Sequence, residues 1–117
     1  GLEDGHHYGR PYAFHWQAQA AGWSDAWRDY AGPVLALLGE HDWYEDPRSA
    51  ALIADLVNER HPGRAEFRLV SGLDHHFVRF ASDAAAFHDS GGTPDPGPAL
   101  ALMLPWLRAQ LAGPAQR

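Results

Sequence analysis

The sequence contains neither cysteine nor lysine, and each absence excludes a class of site. Without cysteine, the chain has no disulfide, no thiolate metal ligand and no cysteine nucleophile of its own. All 9 cationic residues are arginine, and the formal net charge is −6. Because an acidic chain without a basic stripe attracts phosphate groups poorly, we expect no nucleic-acid partner.

Long apolar runs and targeting signals are also absent. No stretch reaches the roughly 18 apolar residues that a transmembrane helix needs, so we expect no membrane partner. Residues 1–7 lack the basic and then apolar order of a signal peptide, and a cytoplasmic protein is expected. The chain begins without methionine, so Gly1 is not expected to be the natural start.

The composition that is present fits a single folded domain. The chain has 117 residues, of which 45% are apolar and 21% are charged, as is typical of one globular unit. Arginine replaces lysine throughout, and alanine, glycine and proline are abundant, which indicates a GC-rich, bacterial genome.

Two junctions between a strand and a loop carry the chemistry. Residues 33–42 form an apolar run that ends at a glycine and places Asp42 three residues later. Residues 67–77 repeat this order and place His75 three residues after a glycine. Continuous apolar runs are typical of strands that are buried on both faces of a parallel sheet. One helix between them completes a β-α-β unit, which brings acid and base to the sheet edge where α/β proteins place their sites.

Helices are predicted on both sides of the second strand, Glu66–Val70. The first begins with Asp46 as its N-cap and Pro47 as its first residue, and it ends before residues 61–63. Ser82 is expected to cap a short helix, and the last helix is expected over 99–111. Phe67 and Leu69 are expected on one face of the second strand. The apolar residues expected to face the sheet or the core are Leu52, Ile53, Leu56, Val57, Leu100, Met103, Leu104 and Leu107.

The first 30 residues and the remainder of the chain are expected to belong to different structural parts. Residues 1–30 are rich in aromatic side chains, include a predicted helix at 13–21, and read as the end of a helical cap or lid. Residues 31–117 read as the sheet-forming part. Within it, Pro105 is expected to kink the last helix or to make it restart at Trp106.

The two junctions, in this order and with a helix between them, resemble the closing section of the α/β-hydrolase fold. The triad order in that fold is nucleophile, acid and histidine. The resemblance covers residues 24–112 and implies the C-terminal half of a hydrolase-type parallel sheet that is flanked by helices. It also implies that Asp42 is the triad acid and His75 the base, in cleavage of a small-molecule ester or amide through an acyl-enzyme.

One part of that pattern is absent, because the sequence contains no Gly-x-Ser-x-Gly elbow. The nearest serine, Ser24, follows a predicted helix and not a strand. We therefore expect the nucleophile, a serine, aspartate or cysteine, in a missing N-terminal half, and this segment alone is expected to be inactive. An aspartate there favours epoxide or haloalkane chemistry. The alternative is an inactive hydrolase-like fragment that serves as a binding or dimerisation module.

Other residues near the two junctions have less specific signals. His76 is an alternative base, because adjacent side chains point apart and only one of them faces the site. Asp74 is expected to hydrogen-bond the loop backbone. The competing acids, Glu40, Glu45 and Asp46, lack the spacing of Asp42 from the glycine.

Aromatic residues and histidines complete the candidates. Trp43, Tyr8, Phe14 and Trp16 are predicted to line a substrate pocket, although packing of the lid onto the body explains the last three equally well. The 8 histidines show no spacing typical of a metal site. We therefore expect neither a metal ion nor another cofactor.

Overall fold

The computed structural model of this protein describes residues 22–113 and the backbone of residues 6–7 and 10–11. The helix predicted at residues 13–21 lies outside this part of the chain. The elements in chain order are β1 (His6–His7), β2 (Arg10–Pro11), α1 (Trp23–Asp29), β3 (Val34–Gly39), α2 (Ser49–Arg60), β4 (Ala65–Val70), β5 (Val78–Arg79), α3 (Asp83–Phe87), β6 (Thr93–Pro94) and α4 (Gly97–Leu111).

A parallel pair of strands, β3 and β4, is the centre of the described chain. Val34 lies opposite Ala65 and Gly39 lies opposite Val70, so the two strands begin and end in register. Helix α2 connects them as the crossover that a parallel pair requires. The protein is therefore of the mixed α/β class, and the predicted β-α-β unit is confirmed. Among the described residues, β3 pairs with β4 alone, although its apolar sequence predicts a neighbour on each side.

The crossover helix α2 begins later than its sequence predicts. Asp46 accepts the backbone N–H of Arg48 at 2.8 Å in a turn, and the helix starts only at Ser49. The predicted capping position of Asp46 is therefore wrong by two residues, because Arg48 occupies the N-cap position and the Asp46 carboxylate satisfies the preceding turn. The helix ends at Arg60, as the sequence predicts.

The buried side of α2 also differs from the prediction. Val57 and Leu56 are buried as expected, whereas Leu52 is 53% exposed. Ala50 and Ala54 are buried in its place. Small side chains let the helix lie close to the sheet, and the longer Leu52 is turned outward.

The last part of the chain adds two helices and a short ribbon. Ser82 Oγ accepts the N–H of Ala85 at 3.1 Å, so the predicted cap of α3 is confirmed. Strands β5 and β6 pair antiparallel where the sequence predicts only a loop. Helix α4 continues through Pro105, and the predicted restart at Trp106 is wrong.

The core consists of two small clusters on either side of the strands. One contains Ala54, Val57 and Ala65, and the other contains Val70, Leu73 and Ala99. The prediction that the long apolar residues of α4 are buried is wrong, since this helix meets the second cluster mainly through Ala99 and Leu102. The four side chains left between 39% and 46% exposed are Leu100, Met103, Leu104 and Leu107. On β4, Leu69 is likewise exposed.

Candidate functional site

The loop that carries Asp42 is attached to the loop that follows β4. The backbone N–H of Glu40 donates to the carbonyl of Val70 at 2.9 Å, and the backbone N–H of His41 donates to the carbonyl of Leu73 at 2.8 Å. The Glu40 carboxylate in turn accepts the N–H of Gly72 at 2.8 Å. Because the strands end in register, these bonds join the two loops directly beyond the sheet edge.

Gly39 permits this close approach. A Cβ atom at this position would lie 2.5 Å from the carbonyl oxygens of both Leu73 and Asp74, a distance that no real Cβ contact shows. The glycine that punctuates the sequence before Asp42 is therefore required by the backbone of the opposite loop.

We expect Gly39→Ala to lower the free energy of unfolding by about 1–3 kcal/mol, because the added methyl group forces two backbone segments apart. Urea unfolding of the full-length protein measures this loss. Gly97→Ala is the matched control, because a Cβ atom there meets only the Asp95 carboxylate at an ordinary 3.5 Å. Equal stability of the two variants would show that the loops separate without cost.

The carboxylate of Asp42 joins both loops through its two oxygens. Oδ1 accepts the backbone N–H groups of Tyr44 at 2.8 Å and Glu45 at 3.1 Å. Oδ2 lies 2.8 Å from Nδ1 of His75, which is 33 residues later in the chain. Only 4% of the Asp42 side chain is exposed, against 35% of the His75 side chain. The sequence allowed Asp42 either to fix its own loop or to orient a histidine, and the structure shows both contacts.

The hydrogen bond between Asp42 and His75 has a chemical consequence. An ionised carboxylate only accepts hydrogen bonds, so the proton of a neutral His75 resides on Nδ1. Its Nε2 atom then carries a lone pair and can take up a proton. Among the described residues, none hydrogen-bonds Nε2, and no described serine hydroxyl bonds the imidazole.

The loop of His75 is fixed by Asp74. This carboxylate is 7% exposed, and its Oδ1 accepts the N–H groups of His76 at 2.8 Å and Val78 at 2.9 Å. The predicted contact of Asp74 with the loop backbone is confirmed. Phe77 has a φ of 61°, an unusual conformation for a bulky residue, which these bonds hold in place. His76 is exposed, and the structure pairs His75 rather than His76 with the acid.

Two aromatic rings border His75. The Tyr44 ring stacks on the imidazole with centroids 5.0 Å apart and an angle of 23° between the planes. The His76 ring meets it edge-on at 5.2 Å. Sequence reasoning missed the Tyr44 contact, since the only signal was its place two residues after Asp42.

A cavity of about 860 Å³ opens beside the pair, and both Asp42 and His75 line it. Its walls come largely from apolar side chains of α1 and α2, among them Trp27 and Ile53. Ser24 also lines this cavity, from the first turn of α1. His75 also lines a smaller cavity of about 260 Å³, together with Trp43 and Phe87.

The predicted substrate-binding residues have different outcomes. Trp43 lies beside the pair, where it packs edge-to-face on Phe87 with centroids 5.1 Å apart. Tyr8, Phe14 and Trp16 lie outside the described residues. Within residues 22–113, no three histidine, aspartate or glutamate side chains are grouped as a metal site.

A second contact between histidine and a carboxylate lies beside the acid loop. His41 Nδ1 is 2.6 Å from Asp83 Oδ1, in the first turn of α3. Nε2 of the same ring lies 3.6 Å from Glu40. Sequence reasoning missed this contact, because Asp83 is 42 residues away from His41 and no spacing signal links them.

One charged pair follows the site along the chain. The Arg48 guanidinium hydrogen-bonds the Asp46 carboxylate at 3.2 Å and holds the pKa of Asp46 below its ordinary value. Asp46 is exposed and belongs to the turn before α2, so it is not part of the Asp42–His75 site.

Comparison of the chain with protein-family models, curated proteins and solved structures finds no match. The functional interpretation therefore depends on the geometry of the site. In the described part of the chain, no helix has the length and the apolar character needed to cross a membrane.

Proposed function

We propose that Asp42 and His75 are the acid and the base of a catalytic triad in a serine-type α/β hydrolase. The observation that carries this proposal is the 2.8 Å contact between Asp42 Oδ2 and His75 Nδ1. Two neighbouring parallel strands deliver these groups to one sheet edge, and the remaining nitrogen of the imidazole has no described hydrogen-bond partner. The substrate class is a small-molecule ester or amide.

Each residue has one role in the proposed reaction. His75 takes the proton of the nucleophilic hydroxyl at Nε2 while the oxygen attacks the acyl carbon. Asp42 stabilises the resulting imidazolium through Nδ1. The imidazolium then gives its proton to the leaving alkoxide or amine, and an acyl-enzyme remains. Water attacks this ester by the same route, returns the acid product and restores the hydroxyl.

The proposed nucleophile lies upstream of these residues, in the N-terminal half of the same enzyme. The pairing of β3 supports this, because among residues 22–113 it has a neighbour on one side only, whereas a strand with its apolar sequence is typical of the middle of a parallel sheet. In this proposal, residues 1–30 are the end of a cap and residues 31–117 are the C-terminal part of the hydrolase core. An aspartate nucleophile would use the same base to open epoxides or haloalkanes.

A serine-directed fluorophosphonate tests the proposal on the full-length protein. We expect one serine upstream of Gly1 to be labelled in the native protein, in a Gly-x-Ser-x-Gly sequence. Heat-denatured protein is the control, because labelling requires the assembled triad. A native protein that neither reacts with the probe nor hydrolyses p-nitrophenyl esters would contradict a serine hydrolase.

A second candidate function is a binding or dimerisation module without catalysis. The observation that favours it is the group of exposed apolar side chains on α4, together with an edge of β3 that no strand in the described part of the chain pairs with. Two measurements on the full-length protein separate the two proposals: sedimentation, which gives the oligomeric state, and labelling by the fluorophosphonate. A dimer that never reacts with the probe supports the module, whereas a reactive protein supports the enzyme.

A further inference from the structure

Tyr44 contacts both members of the Asp42–His75 pair, by separate groups. Its backbone N–H donates to Asp42 Oδ1 at 2.8 Å. Its ring stacks on the His75 imidazole, with 5.0 Å between the centroids and 23° between the planes. The residue that orients the carboxylate therefore also covers one face of the base.

The stacked Tyr44 ring restrains the rotation of the His75 imidazole, which the hydrogen bond to Asp42 alone does not. A single bond at Nδ1 fixes one atom of the imidazole but permits the ring to turn about the line joining Nδ1 to Asp42. The χ2 angle of histidine has a broad energy minimum and resists this rotation weakly. A ring lying nearly parallel to the imidazole opposes it, because turning would push the two faces together. The direction of Nε2 is then set by two contacts and not by one.

We infer that Tyr44 is a positioning residue for His75, an inference that rests on the proposed function. Its aromatic ring acts through the imidazole, aims the Nε2 lone pair at the nucleophile and does not touch the reacting atoms. The phenolic hydroxyl has no hydrogen-bond partner among the described residues, so the ring face is the part required. The inference predicts that phenylalanine can replace Tyr44 and that leucine cannot.

The experiment compares Tyr44→Phe and Tyr44→Leu in the full-length protein, with p-nitrophenyl butyrate as the probe substrate. We expect the leucine variant to lose about 10- to 100-fold in kcat, because small misplacements of a reacting group have costs of this order. KM is expected to change by less than about twofold, since ground-state binding is retained. The phenylalanine variant is expected to keep the parental kcat.

Tyr30→Leu is the matched control. Tyr30 is 45% exposed, against 40% for Tyr44, and its ring also packs on an aromatic neighbour, Trp27. Loss of a half-exposed tyrosine elsewhere in the fold is expected to leave kcat unchanged, which separates positioning from a general effect on stability.

A spectroscopic measurement completes the test without turnover. The His75 ring lies over the face of the Tyr44 ring, whose ring current shields the protons of the imidazole. The NMR signals of these protons are therefore expected to move downfield in Tyr44→Leu and to stay near their positions in Tyr44→Phe. The inference is overturned if these signals do not move. It is also overturned if Tyr44→Leu keeps its kcat while His75→Ala loses activity. Full activity in His75→Ala would instead remove the proposed function.

Discussion

Replacing His75 with alanine in the full-length protein is expected to lower kcat for ester hydrolysis by about 10⁴- to 10⁶-fold. Without the imidazole of His75, the Asp42 carboxylate loses the histidine that it contacts at 2.8 Å, and the proposed proton transfer has no base oriented by an acid. KM should change little, because the base acts mainly in the transition state. Steady-state turnover of p-nitrophenyl butyrate measures both constants.

His76→Ala is the internal control for this experiment. His76 is adjacent in sequence and its ring meets that of His75 at 5.2 Å, but no carboxylate among the described residues hydrogen-bonds the His76 ring. We expect this variant to retain kcat within about tenfold of the parent protein. The opposite outcome, with His76→Ala inactive and His75→Ala active, would transfer the role of base to His76 and contradict the site described above.

Replacing Asp42 with asparagine is expected to lower kcat by about 10⁴-fold. The amide presents a donor or an acceptor to His75 but carries no charge to stabilise the imidazolium. If its nitrogen faces Nδ1, the imidazole must take the wrong tautomer. The asparagine oxygen can still accept the N–H groups of Tyr44 and Glu45, so the free energy of unfolding should change by less than about 1 kcal/mol.

Asp42→Ala separates the two roles of this carboxylate. It should match the asparagine variant in kcat but lose about 1 kcal/mol of stability, since the N–H groups of Tyr44 and Glu45 lose their carboxylate acceptor. Asp46→Asn is the control for charge alone, because Asp46 is exposed and bonded to Arg48. An Asp42→Asn enzyme with normal kcat and reduced stability would leave Asp42 only its role in the loop.

The contact between Asp42 and His75 was predictable because its signals are local. An apolar run, a glycine and a polar residue fix the end of a strand, and parallel pairing in register then brings two such ends together. The contacts of Tyr44 with His75 and of His41 with Asp83 were not predictable. They depend on the path of each loop after the strand, which no periodic pattern encodes.

Burial was the least predictable property of the chain. The sequence marks Leu52 and the long apolar residues Leu100, Met103, Leu104 and Leu107 of α4 as core, and all five side chains are substantially exposed. Periodicity shows which residues share a helix face, but it does not show whether another element covers that face. Small residues such as Ala54 and Ala99 form much of the buried contact in their place.

Because Gly39 has no side chain, the loops that carry Asp42 and His75 lie in direct contact, so in the proposed enzyme the acid and the base would move together. The backbone bond from His41 to Leu73 and the bond from Gly72 to the Glu40 carboxylate connect the two loops. A moving cap or an arriving substrate would therefore displace Asp42 and His75 together and leave their separation unchanged. Such a motion would change the distance between the Asp42–His75 pair and the proposed nucleophile. Conformational control of the proposed reaction would operate through that distance.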